Sequence, residues 1–157
     1  MGCKQMSKCV FAGSFDPITN GHIEIIKKAT KLYSNVVVGV LINWDKVYHF
    51  NQEQRLEMVK QSCQDISGVT VKFFNGTLVD FLKQEQTNVF VRGIRNQKDL
   101  EYENRTKDYN KKFMPNIEYV YIQSSSSKEI SSTKIKEMIT KKEDISSFVP
   151  KAVLKFI

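Results

Sequence analysis
Residues 36–42, VVVGVLI, place the tightest limit on what this chain can fold into. The run has strand length and no polar side chain, so neither of its faces suits water. Such a strand belongs inside a parallel sheet covered by helices on both sides. Shorter runs rich in β-branched and aromatic residues recur at 9–12, 69–74, 89–91 and 117–122.

The intervals between these runs carry helical spacing. Ile23, Ile26 and Tyr33 form one stripe, which Ile25, Ala29 and Leu32 widen. Leu56, Val59, Cys63 and Ile66 repeat the pattern behind an N-cap at Asn51, with Gln54 three residues on as its capping-box partner. Residues 78–82, 98–113, 133–140 and 150–157 complete the set. The stretch 98–113 is polar enough for a mostly exposed helix, and the last helix opens on Pro150. Strands alternating with helices predict βαβ units with right-handed crossovers. The expectation is an α/β fold: one doubly wound, Rossmann-like domain over 1–157, with a five-stranded parallel sheet and a loose N-terminus at 1–7. Ligands of such folds sit at the carboxyl ends of the strands, so the loops there are where chemistry belongs.

Charge says what kind of ligand to expect. Lys and Arg number 24 against 17 Asp and Glu, and 24 − 17 gives a formal net charge of +7 over 157 residues. That excess favours anionic partners, whether nucleic acid, acidic membrane or a phosphorylated small molecule. No apolar run reaches the length of a membrane span. Met6 stands where N-myristoylation needs Ser or Thr, and no apolar signal stretch opens the chain. Cys3, Cys9 and Cys63 form no C-x-x-C pair and no even set, so neither a zinc site nor a disulfide framework is expected. These points predict a soluble cytoplasmic protein. The paired lysines 27–28, 111–112 and 141–142 look like solvated helix faces rather than a nucleic-acid surface.

Four loops concentrate chemistry-bearing residues. The first, GSFDPITNGH at 13–22, follows strand one with a glycine turn, a small hydroxyl at Ser14 and His22 in the first turn of a helix. A helix start offers free N–H groups and a partial positive charge to phosphate. The second, at 43–50, carries Lys46. The third sets Arg92 and Arg95 around Gly93 and continues to Asp99 and Glu103; two guanidinium forks in that spacing can grip phosphate oxygens. The fourth places Ser131, Ser132 and Thr133 at a helix start, where hydroxyls cap the helix and donate to an anion.

These strings resemble a known family. Thr19-Asn20-Gly21-His22 matches the T-x-G-H element of the small nucleotidyltransferases. The longer match from Asp16 to His22, the Arg92 to Glu103 string and Ile130-Ser131-Ser132-Thr133 together resemble the bacterial phosphopantetheine adenylyltransferases. The resemblance runs from about Lys8 to Val149, with Trp44-Asp45-Lys46 standing where the family usually has a Ser-Lys-Lys type loop.

It implies transfer of AMP from ATP to 4′-phosphopantetheine, giving dephospho-coenzyme A and pyrophosphate by in-line attack without a covalent intermediate. It further implies His22, Lys46 and Arg95 as catalytic groups, with His22 on the α-phosphate. Ser14, Phe15, His22, Gly93, Arg95, Glu103, Ser131, Ser132 and Thr133 would contact ATP. Ser14, Lys46, Leu78 and Arg92 would contact phosphopantetheine. Magnesium would arrive with ATP, no acidic cluster reading as a protein metal cage. A homohexamer and feedback inhibition by coenzyme A are implied by the same resemblance, and neither nucleic acid nor membrane is expected as a partner.

Overall fold
The computed structural model describes residues 5–124 and 131–157, with side chains from residue 7 onward. Ser125 to Ser127, Ile130 and the first four residues of the expected loose terminus lie outside the described residues. The elements run β1 (Gln5–Gly13), α1 (Asn20–Thr30), β2 (Tyr33–Leu41), α2 (Gln52–Cys63), β3 (Val69–Phe74), α3 (Leu78–Glu85), β4 (Val89–Ile94), α4 (Gln97–Lys111), β5 (Glu118–Gln123), α5 (Ser132–Thr140) and α6 (Lys151–Leu154).

All five strands form one parallel sheet in the order β3-β2-β1-β4-β5. The chain winds outward from β1 to β3, then returns to the far side of β1 to lay down β4 and β5. The reversal between β1 and β4 is the topological switch point of a doubly wound sheet. Only Val10 and Phe90 are ladder partners across it, whereas β1 and β2 stay in register from Lys8–Asn35 to Gly13–Val40. The core fills both faces of the sheet. Val36, Val38 and Val40 point to one buried cluster and Val37 to the other, as the unbroken apolar run of β2 requires.

Several details depart from the sequence-based expectation. Residues 5–7 begin β1 rather than a loose terminus, although Gln5 pairs out of step with the register downstream. Tyr33 opens β2 instead of ending the helical stripe of α1, and Leu32 is exposed. The buried face of α1 is Ile25, Ile26 and Ala29. In α2 the fully buried residues are Arg55, Met58, Val59 and Cys63, with Leu56 and Ile66 only partly covered. A charged side chain thus occupies a core-facing position. Helix α4 is mainly exposed but buries Glu103 and Asn110, and α6 is a single turn capped at Pro150.

Glycine 93 is a tight point between α1 and β4. A Cβ there would meet Ile25 Cγ1 at 2.8 Å, so the missing side chain lets α1 lie close against β4. Gly93→Ala should lower the urea-unfolding free energy by about 1–3 kcal/mol, the usual cost of overpacking. It should also reduce turnover, because α1 carries His22. An unchanged unfolding midpoint would show that Ile25 simply moves aside.

Candidate active site
The turn after β1 is built by buried polar contacts rather than by glycine alone. Gly13 keeps an ordinary φ, and the left-handed residue is Phe15, with φ 51°. The Phe15 ring is buried against Phe11 and His22, which ties the unfavourable backbone to core packing. Asp16 follows, 1% exposed, and its carboxylate accepts the backbone N–H groups of His49 and Phe50, both at 2.8 Å. Lys136 of α5 approaches the same carboxylate at 3.5 Å. Arg55, also 1% exposed, donates through Nη1 to the carbonyls of Ser14 at 2.8 Å and Leu41 at 3.3 Å. The first two loops are therefore one hydrogen-bonded unit.

Helix α1 begins in a capping box. The Thr19 hydroxyl accepts from the His22 N–H at 3.3 Å, and His22 Nδ1 accepts from the Thr19 N–H at 3.0 Å. Histidine here takes the place that Glu or Gln fills in the common form of the box. A backbone N–H can only donate, so Nδ1 must carry a lone pair and the proton must sit on Nε2. Burial pushes the His22 pKa down to about 4, with help from the positive charges of Arg92 and Arg95. The ring is thus a neutral donor at ordinary pH. Gly21 beside it leaves the helix start open: a Cβ would meet only Thr19 Oγ1, at 3.5 Å.

Arg92, on β4, forms the wall across the switch point. Its Nε and Nη2 bind both oxygens of Glu103 at 3.0 and 2.8 Å, and Nη1 donates to the Ala12 carbonyl at 3.0 Å. A guanidinium has five N–H groups, so two remain for a ligand. Arg95 is held by Asp99, whose Oδ2 accepts both its Nε and its backbone N–H. On the other side Ser131 caps α5 through Lys134 N–H, and the Ser132 hydroxyl donates to the Pro17 carbonyl at 2.8 Å.

Two cavities meet at this wall. One, of about 520 Å³, is lined by Phe15, His22, Lys46, Arg95, Ser131 and Ser132 among others. The other, about 680 Å³, runs between Trp44, Asn75, Leu78 and the Tyr109–Asn110 end of α4. Ala12, Gly13, Ser14, Arg92, Tyr102 and Glu103 line both. Trp44 is 76% exposed and donates its Nε1–H to Asn75 Oδ1 at 3.0 Å, joining the loops after β2 and β3 at the rim of the second cavity. One compartment is rich in cations and hydroxyls, the other largely apolar, and a ligand carrying phosphate at one end and an apolar arm at the other matches the pair.

Comparison with known proteins agrees with this geometry. The sequence matches the cytidylyltransferase-like family over residues 10–138. It is 41% identical over 150 residues to a phosphopantetheine adenylyltransferase of Clostridium kluyveri, covering 95% of this chain and 92% of the relative. A phosphopantetheine adenylyltransferase of Clostridium beijerinckii is 40% identical over 153 residues, covering 97% and 96%. The chain belongs to the phosphopantetheine adenylyltransferase family. In fold it is also similar to a solved Vibrio parahaemolyticus structure assigned as a nicotinate-nucleotide adenylyltransferase. There the TM-score is 0.72 at 18% identity, with 97% of this chain and 98% of the other covered.

Of the residues singled out as those of a phosphopantetheine adenylyltransferase, Ser14, Phe15, His22, Lys46, Arg92, Gly93, Arg95, Glu103, Ser131 and Ser132 line the first cavity, and Leu78 lines the second. Thr133 is exposed on α5 and lines neither. Phe15 is a core side chain, so any contact it makes with a nucleotide falls to its backbone. Glu103 spends both oxygens orienting Arg92. Sequence reasoning gave no role to Arg55, Tyr48 or Asn75, whose parts depend on partners distant in sequence. A signal existed for Arg55 alone: it lies one position before the apolar stripe of α2.

The tautomer and charge of His22 are directly testable by ¹⁵N NMR, since the chain has two histidines, His22 and His49. The imidazole signal lost in His22→Gln should show Nε2–H and stay neutral until the pH nears 4. Because the unfolded chain takes up this proton at about 6.5, the native state should also lose stability as pH falls from about 6.5 toward 4. His22→Gln should remove that part of the loss. A His22 resonance titrating near 6.5 would contradict the half-buried, neutral ring.

Proposed function
We propose that the protein transfers AMP from ATP to 4′-phosphopantetheine, releasing pyrophosphate and dephospho-coenzyme A. The observation that carries this reading is the pair of cavities sharing the Arg92–Ser14 wall. The cationic one suits the nucleotide phosphates, and the apolar one suits the pantetheine arm, with the acceptor phosphate at the junction.

The acceptor phosphate is already an anion and needs no strong base. An oxygen of that phosphate bonds to the α-phosphorus while the bond to the β-phosphate oxygen breaks, and pyrophosphate leaves with the electron pair. The obstacle is repulsion between two polyanions and the charge that builds up on the α-phosphoryl oxygens. Fixed donors and positioning overcome it, as in other phosphoryl transfers. Nε2–H of His22 donates to an α-phosphoryl oxygen without giving up its proton. Lys46 bridges the α-phosphate and the acceptor, and the two spare N–H groups of Arg92 hold the acceptor phosphate. Arg95 and the N-terminus of α5 at Ser131 and Ser132 take the leaving pyrophosphate. The Thr133 side chain, outside the cavity, is left out of this set.

The carboxylates lining the first cavity are all engaged: Asp16 by two backbone N–H groups, Asp99 by Arg95 and Glu103 by Arg92. Among the described residues no group of three His, Cys, Asp or Glu side chains could hold a metal ion. The donor set therefore suits magnesium that arrives bound to the triphosphate, as part of the substrate. The homohexamer, the cytoplasmic setting and inhibition by coenzyme A are carried over from the family resemblance alone. Among the described residues no helix is long and apolar enough to cross a membrane.

Pyrophosphate release from ATP and magnesium should depend on 4′-phosphopantetheine. Activity with nicotinamide mononucleotide or glycerol 3-phosphate and none with phosphopantetheine would refute the assignment. His22→Ala should lower kcat about 10²–10³-fold, the range for removing one preorganised donor, with little change in ATP affinity. Equal losses in kcat and affinity would make His22 a binding group only. Trp44 is the single tryptophan of the chain. Its emission should respond to phosphopantetheine and hardly to ATP, and the opposite order would place the arm elsewhere.

A further inference from the structure
We propose that the Tyr48 ring, stacked on the buried guanidinium of Arg55, is the positioning element that sets Lys46 against the turn after β1. The proposal rests on the role given to Lys46 above. Tyr48 lines neither cavity, so any effect it has on the reaction must pass through other residues.

Lys46 is exposed, and burial cannot place its ammonium. Its loop must do so. That loop is closed by Tyr48: the phenol oxygen accepts the Asn43 N–H at 2.7 Å, spanning Lys46 from both sides. Inside this closure the Lys46 N–H donates to the Asn43 carbonyl at 3.0 Å. The Lys46 ammonium lies 5.8 Å from the centroid of the same ring, within the range of a cation–π contact.

The ring in turn rests on something rigid. The Arg55 guanidinium carbon is 3.8 Å from the Tyr48 centroid, a stacking distance. Nη1 of Arg55 is anchored to the carbonyls of Ser14 and Leu41, at the ends of β1 and β2. Nε is buried with no hydrogen-bond partner among the described residues. A desolvated cation with an unsatisfied edge is costly unless another group compensates it. The ring face of Tyr48 and the charge of Asp16 both act favourably on this guanidinium. Asp16 meanwhile fixes the two residues after Tyr48 through their N–H groups. A chain of contacts thus runs from the Ser14 carbonyl through Arg55 and Tyr48 to Asn43 and Lys46. That chain ties the Lys46 loop to Ser14, one of the six residues that both cavities share.

A double-mutant cycle separates positioning from plain structural support. Tyr48→Leu removes both stack and hydroxyl, and should lower kcat/KM for phosphopantetheine about ten- to a hundredfold, the scale of a small misplacement of a reacting group. Its KM for ATP should move by less than about twofold, because His22, Arg95 and the N-terminus of α5, which hold most of the triphosphate, stay in place. Tyr48→Phe keeps the stack and loses the bond to Asn43, and should fall between wild type and Tyr48→Leu. In a Lys46→Ala background, Tyr48→Leu should cost less than about twofold, since residues acting through one another are not additive. Equal costs in both backgrounds, or wild-type kinetics for Tyr48→Leu, would overturn the proposal. If Tyr48→Leu does not fold, Tyr48→Phe in the same cycle gives the same discrimination. A wild-type protein that makes no dephospho-coenzyme A would instead strike the assigned reaction. Activity with an additive cycle strikes only the role of Tyr48.

Discussion

The carboxylate of Asp16 is the contact on which the rest of this molecule depends. It is removed from water, and a bare ion there would be prohibitive. Two backbone N–H groups from the approach to α2, the Lys136 ammonium and the nearby Arg55 guanidinium together compensate it. That single group joins the turn after β1 to the loop after β2 and to α5. Breaking it would leave the buried Phe50 N–H and the partly buried His49 N–H without their acceptor, so the carboxylate ties the three segments together. The loops of the site are joined from below through this one carboxylate.

Much of the scaffold was legible from the sequence, and for identifiable reasons. The unbroken run in β2 could only be a strand covered on both faces. Asn51 with Gln54 announced α2 through its capping box, and that box is formed. Failures came where tertiary contacts overrule local pattern. Tyr33 continues the helical spacing of α1 yet pairs with Gln5 in the sheet. Arg55 lies just outside the apolar stripe of α2 on paper, while in the fold its Nη1 reaches the carbonyls of Ser14 and Leu41 from a core position. Gly13 seemed to offer the turn its conformational freedom, but Phe15 takes the left-handed residue because its ring is paid back by packing.

The residues of the site were legible as a set, their division of labour much less so. The T-x-G-H string, the Arg92 to Glu103 string and the serines at α5 converge on one cavity. Sequence spacing could not say that Glu103 is spent on Arg92, that Ser132 already donates to Pro17, or that Thr133 faces solvent. The resemblance implied an ATP contact at Gly93, and the neighbour the structure sets there is Ile25. Each of these assignments depends on a residue far along the chain, and one sequence carries no record of such pairings.

The capping box at Thr19 and His22 has a consequence for how many molecules are competent at any instant. The hydrogen bond that starts α1 also selects the Nε2–H form of the ring, so fraying of that helical turn would release the tautomer on which the proposed mechanism relies. On the proposed mechanism, the competent fraction follows a local opening equilibrium of this turn rather than global unfolding. Every 1.4 kcal/mol or so removed from the closed turn would multiply the idle population about tenfold. A phosphate seated on that helix start would draw the population back toward the closed form, and substrate would restore the order its own chemistry requires.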